Sequence, residues 1–356
     1  MRPDALFLAG LAAYLPPVLS AETAAARGWY DPDNLHHDGW TGAAVAGDTP
    51  PAEMAVHAAR TALARSGVPA TDLDLLLYAD TFPQGPHCWC PQHHVERLVV
   101  GRGIPAIELR QGCAGMLDAL DLAAAYLAVP GRRAALLTGA DNFGVDPATG
   151  PDPALRWRYA DNGNTHRGSV LGDAATAAVL SNRGGFARVL SIATRSLSEL
   201  EELYRGGEPM FPPAHGPDRP FRLGRRFADY DRQHPGALSQ ALTRLGDART
   251  DLARQVLAEA ELPADRVTRV LHVFAGTERY LKHLLDPLGI DPARGLLEFG
   301  RGLGHLGVGD QLAGLEHLLL TGQVGPGDHV LMMANGTGAS LGCAVLAIDE
   351  RPEWAW

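Results

Sequence analysis

Two stretches of this chain pass through the same succession of elements, and that duplication limits the folds open to it. In the first, the apolar run 73–79 reads as a buried strand. A helix running to about residue 100, a second strand at 105–110, a helix beginning near Cys113 and a strand at 134–137 complete the unit. In the second, a strand at 267–274 leads through a helix at 277–288 to a strand at 296–299. A glycine-rich turn over 300–310, a helix at 311–321 and a strand at 329–333 close it. Strands that are apolar on both faces belong to sheets covered by helices on either side. The expectation is therefore an α/β fold built from two βαβαβ halves.

The turn before the second helix of each unit carries candidate chemistry. In the first half an apolar run stops at Gln111-Gly112, and Met116, Leu117, Leu120, Ala123, Ala124 and Leu127 then share one helical face. Cys113 sits at that junction. A thiol at a helix N-terminus feels unsatisfied N–H groups, which favour the thiolate, and Gly112, Ala114 and Gly115 leave room for a substrate. An enzymatic nucleophile and a buried structural cysteine both fit this local pattern. In the second half, His305 and Asp310 lie around the mirrored helix start. A histidine there can serve as a base or as a cap contact, and the aspartate as its orienting partner or as an ordinary first-turn carboxylate.

Composition removes other classes. The 356 residues hold 31 Lys and Arg against 41 Asp and Glu, a net charge of −10, and no basic run offers a phosphate stripe, so no nucleic-acid partner is expected. Four cysteines, at 88, 90, 113 and 343, suit a reducing cytoplasm rather than a disulfide framework. Residues 5–13 mimic a short signal segment, but Arg2 is its whole basic region, and the run reads as a first strand. No run reaches transmembrane length, and no membrane association is expected. His87, Cys88, Cys90, His93 and His94 resemble a metal cluster whose spacing fits no common zinc pattern; a helix entry is the plainer reading, and no metal is expected. Trp157 and Tyr159, in a loop over 145–168 with Asp161-Asn-Gly-Asn164, either cover a pocket mouth or pack down. Residues 204–235 read as an insertion or lid, and a long helix runs from about 236 to 262.

Four segments together resemble the thiolase-fold condensing enzymes, in particular ketoacyl-ACP synthase III. They are Leu8-Ala-Gly-Leu-Ala-Ala-Tyr-Leu-Pro16, the Cys113-Ala-Gly helix, Gly172-Asp173-Ala-Ala-Thr-Ala-Ala-Val-Leu180 and Gly336-Thr-Gly-Ala-Ser-Leu-Gly342. The resemblance implies a five-layered α-β-α-β-α thiolase fold, with residues 1–183 as the nucleophile half and 184–356 as the His/Asp half. It also implies that Cys113 is acylated, and that its N–H and one from the Gly336–Gly338 loop form an oxyanion hole. A homodimer follows, with the strand leading to the cysteine pairing across its axis. So does an acyl thioester of acyl carrier protein or coenzyme A as substrate, with no permanently bound cofactor.

The departures from the family pattern narrow the reaction. Condensing members carry a histidine in Pro-His-Gln-Ala-Asn, where this chain reads Val273-Phe274-Ala275-Gly276-Thr277. Their second motif, Gly-Asn-Thr-Ser, is replaced by Gly304-His305-Leu306-Gly307. The lost His/Asn pair supports decarboxylation of a malonyl thioester. His305 with Asp310 instead resembles a branch of synthase-III-like acyltransferases from antibiotic pathways, in which Cys or Ser works with His and Asp. The expectation is an acyltransferase that passes an acyl group from Cys113 to a second carrier, a sugar hydroxyl or another small-molecule acceptor. A decarboxylative condensing enzyme and a non-catalytic partner subunit are the alternatives. His272 is a competing base, or a core histidine on the face it shares with Phe274. Arg279 and Lys282, on the following helix, are candidates to meet an acyl carrier protein.

Overall fold

The computed structural model describes residues 1–146, 149–159, 169–211 and 221–355. Much of the expected 145–168 and 204–235 segments, including Asp161–Asn164, lies outside them.

Nine strands form one connected sheet. They are β1 (Phe7–Tyr14), β2 (Leu73–Ala79), β3 (Ala106–Leu109), β4 (Ala134–Asp141), β5 (Ala174–Ser181), β6 (Ala187–Ser196), β7 (Arg269–Leu271), β8 (His329–Gly336) and β9 (Ser340–Ile348). Their order is β7-β8-β9-β6-β1-β5-β4-β2-β3. Where the halves meet, β1 and β6 pair only through Phe7 with Arg188 and Leu8 with Ala187. The N-terminal segment is strand, as its sequence predicts.

Alternation along the strands builds the layers. Leu75, Leu77 and Ala79 of β2 join Val330, Met332 and Ala334 of β8 in a central core. Between the two sheet regions lie α2 (Gly115–Leu127) and α6 (Asp310–Leu320), which supply Leu117, Leu120, Leu315 and Leu318 to that core. The opposite faces bury elsewhere. Leu76 and Tyr78 pack with α1 (Pro51–Ser66), whereas Leu331 and Met333 pack with α3 (Ala237–Glu259). Helix, sheet, helix pair, sheet and helix make the five layers. The period-2 strand and the 3.6-period helix fix which residues face which core.

α1 starts with Pro51 at its first position and ends at Gly67, whose φ of +63° is left-handed. α4 (Glu278–Leu285) follows β7. The strand expected at 296–299 is instead a helix, α5 (Leu297–Leu303). Leu296, Gly300 and Leu303 are buried there, and their spacing of four then three is helical; a four-residue apolar run was too short to show it. The second half therefore lacks the counterpart of β3. Trp157 and Tyr159 both pack down, with 2% and 7% of their surfaces exposed.

Candidate active site

The cysteine turn is shaped by two backbones in close approach. Gly112–Ala114 form a 3-10 turn that runs into α2. Gly112 has a φ of +56°, and a Cβ there would lie 2.6 Å from both the N and the Oγ1 of Thr337. Across the gap, a Cβ on Gly336 would lie 2.3 Å from the Gln111 carbonyl and 3.1 Å from the Cys113 nitrogen. Only glycine fits at either position. The loop after β8 thus lies directly on the amide of Cys113. Gly338 follows, with a φ of +130°.

His305 arrives from the other half, on the turn between α5 and α6. Its N–H donates to the Val170 carbonyl at 2.8 Å, and its carbonyl accepts from Gly172 N–H at 2.9 Å, so residues 170–172 clasp it as a short parallel bridge. The imidazole then spans two partners: Nδ1 lies 2.6 Å from Asp310 Oδ2, and Nε2 lies 2.8 Å from Cys113 Sγ. Asp310 is wholly buried at the first position of α6. Its Oδ1 accepts from Leu306 N–H at 2.8 Å and its Oδ2 from Phe274 N–H, also at 2.8 Å. Three donors satisfy this carboxylate, which offsets much of its burial cost. Burial opposes charge on His305, but the negative charges of Asp310 and Cys113 outweigh it and raise its pKa well above the usual imidazole value.

His272 is placed differently. Its Nδ1–H donates to the Val273 carbonyl at 2.8 Å, and its Nε2 accepts from Leu296 N–H at 3.0 Å. Both nitrogens are spent on backbone, and burial pushes its pKa below the usual value. Of the two roles expected for His272, these contacts favour the core histidine over the competing base, since a neutral ring with both nitrogens engaged has none free to move a proton. Phe274 is buried, in edge-to-face contact with Phe299 at 5.6 Å.

Supporting residues were not singled out in the sequence. Asp141, at the end of β4, accepts from Thr81 and Phe82 N–H at 2.9 and 2.8 Å and from Val308 N–H at 3.3 Å, so it ties the His305 turn to the first half. Burial raises its pKa to about 6, against the pull of those N–H groups. Asp173 pairs with buried Arg156 at 2.7 Å and accepts from Ala46 and Phe143 N–H, both at 2.8 Å. A polar residue closing an otherwise apolar strand, as Asp141 does, was the signal available. Beside the site, Phe82 packs on Phe143 at 4.8 Å, on Phe221 at 5.8 Å and on Tyr159 at 6.3 Å. Burial raises the pKa values of Tyr159 and Tyr204, and the Cys113 charge adds to both, so these rings lie within electrostatic reach of the sulfur.

Among the described residues no group of three His, Cys, Asp or Glu is arranged to hold a metal ion, and His94 Nε2 lies 2.9 Å from Glu53 instead. Among them, too, no helix is long and apolar enough to cross a membrane. What remains is a thiol, an imidazole and a carboxylate in one line, 2.8 and 2.6 Å apart, an arrangement compatible with nucleophilic acyl chemistry.

Comparison with known proteins bears on the family and the fold. Residues 257–348 match the model of the 3-oxoacyl-[acyl-carrier-protein] synthase III C-terminal family. The acyltransferase ChlB3 is 36% identical and superimposes with a TM-score of 0.89, over 99% of this chain and 100% of that one. The beta-ketoacyl-[acyl-carrier-protein] synthase III of Rhodospirillum rubrum is 26% identical over 302 residues, 83% of this chain and 84% of its own length. The 3-oxoacyl-[acyl-carrier-protein] synthase III of Aquifex aeolicus shares the fold, with a TM-score of 0.75 at 21% identity over 96% of this chain and 99% of that one.

Proposed function

The chain belongs to the ketoacyl-ACP synthase III-like family of thiolase-fold enzymes, and from that premise we propose that it is an acyltransferase working through an acyl-Cys113 intermediate. The observation that carries the reading is the line Cys113 Sγ, His305 Nε2, His305 Nδ1, Asp310 Oδ2, with links of 2.8 and 2.6 Å.

In the first half-reaction His305 takes the thiol proton and Cys113 Sγ attacks the thioester carbonyl of an acyl carrier protein or coenzyme A donor. Backbone N–H groups of Cys113 and of the Gly336–Gly338 loop receive the developing oxyanion. The carbon–sulfur bond to the carrier breaks, and His305 returns its proton to the leaving thiolate. Acylation removes the sulfur's negative charge, one of the causes that raise the His305 pKa. His305 is then a better candidate to accept a proton from the hydroxyl or thiol of the acceptor, whose attack releases Cys113. Asp310 holds the tautomer throughout. The same reading makes the protein a cytoplasmic homodimer of secondary metabolism, with residues 1–183 and 184–356 as its halves. The edge position of β3, with Ile107 48% exposed, supports pairing there across the dimer axis.

Intact-protein mass spectrometry after incubation with acyl thioesters tests the reading. The expected result is one acyl mass per chain, absent from Cys113→Ala and removed by an acceptor without carbon dioxide release. Acylation of Cys113→Ala overturns the nucleophile. Cys113-dependent release of carbon dioxide from a malonyl thioester favours a condensing enzyme, the activity named for most of the relatives.

A further inference from the structure

Asp80, the residue after β2, is wholly buried, and neither of its carboxyl oxygens has a hydrogen-bond donor among the described residues. Several nearby donors go elsewhere. The Tyr78 hydroxyl donates to Gln84 Oε1 at 2.5 Å, and Gln84 Nε2 donates to the carbonyls of Phe82 at 2.7 Å and Ala140 at 3.1 Å. The N–H groups of Thr81 and Phe82 go to Asp141. Arg110 Nε stands 3.6 Å from Asp80 Oδ1, an ion-pair distance rather than a hydrogen bond, and its side chain is 64% exposed. A buried carboxylate with no donor is costly, and the usual escape is to take up a proton.

The other charged groups around Asp80 are acids. Glu108 of β3 pairs with Tyr78 of β2, so its side chain lies on the sheet face that Tyr78 and Asp80 share. Asp141 closes β4, on the other side of β2. Burial first, then Asp141 and a hydrogen bond to Glu108, raise the Asp80 pKa to about 8, against the pull of Arg110.

We propose that Asp80 is a positioning residue that carries a proton and donates it to the Glu108 carboxylate, which keeps together the strand ends on either side of the site. Asp80 N–H donates to the Leu109 carbonyl at 3.3 Å, where β3 ends and the chain runs on through Arg110, Gln111 and Gly112 to Cys113. Asp141 holds Val308 N–H of the His305 turn at 3.3 Å. Loss of the Asp80 proton places a new anion between Glu108 and Asp141, and the repulsion acts on both sides of the contact between Cys113 and His305. The inference rests on the acyltransferase reading only where acylation is the readout.

Infrared spectroscopy in heavy water reads the proton directly. The difference between wild type and Asp80→Asn should hold a protonated-carboxyl band at neutral pH, which disappears as pH rises through about 8. Glu108→Gln removes one of the charges that raise the pKa and should move that midpoint down. The folded pKa of Asp80 lies above the unfolded value of about 3.9, so its contribution to stability is fully present below that value and is lost as pH rises to the folded one. The Tm of Asp80→Asn relative to wild type should therefore climb with pH over that range. With acyl thioesters, the acylation rate of Asp80→Asn relative to wild type should climb by roughly tenfold or more between about pH 7 and about pH 9.5. Taking the ratio cancels the titrations of Cys113 and His305. The proposal is overturned if the difference spectrum holds no carboxyl band, if Glu108→Gln leaves the midpoint in place, or if the Tm gap or the rate ratio is flat with pH. The spectra and the Tm stay readable if Cys113 fails to acylate, and the wild-type titration against Glu108→Gln carries the test if Asp80→Asn does not fold.

Discussion

His305 and His272 are both buried, 5% and 0% exposed, and both stand in the second half of the chain. The ring of the first bonds only side chains, a thiol and a carboxylate; the ring of the second bonds only backbone, one carbonyl and one N–H. Their pKa values move in opposite directions for that reason. Burial lowers both, but His305 has two anionic neighbours that reverse the sign, whereas the carbonyl on His272 and the distant Asp310 do not. Burial alone therefore does not separate a reactive histidine from a structural one; the charge of its partners does.

Five measurements would break or sharpen that contrast. Cys113→Ala should lose the acyl mass completely, since no other described thiol meets His305. His305→Ala should slow acyl transfer by about 10²–10⁴-fold, the usual contribution of a general base, while the folded protein remains; an equal loss in His272→Ala would erase the distinction. Asp310→Asn should fall in a similar range and add little to His305→Ala, because residues acting as a unit are not additive. His272→Ala should leave the rate per folded molecule unchanged and cost about 1–3 kcal/mol in denaturant unfolding, from the orphaned Leu296 N–H and the vacated volume. The smallest effect is a pH dependence of stability. Because the folded pKa of His305 is raised, its contribution is fully present below the unfolded value of about 6.5 and is lost as pH rises through the folded value. The stability gap between wild type and His305→Gln should shrink with increasing pH; a widening gap would contradict the assigned charges.

Much of the architecture was legible because its signals are long and periodic. The apolar stripe of α2 and the continuous apolar runs of β2 and β4 have few alternative readings. Short segments were not legible: Leu297–Leu303 depends on burial of Gly300 against the Phe274 ring, a tertiary fact. The duplicated register sets Cys113 and His305 at matching turns, and they meet at 2.8 Å. The neutrality of His272 was invisible, since its partners are backbone groups brought in by folding. The same holds for Asp141 and the Asp173–Arg156 pair, whose sequence neighbours give no hint of the donors they collect.

The clasp of residues 170–172 on His305 has a kinetic meaning. The thiol reaches the chain's fold from one half, the imidazole from the other, and the backbone bridge that positions the imidazole crosses between them. Until those two parts of the chain dock, Sγ cannot sit beside Nε2. The rate at which a refolding sample regains acylation would then time that docking.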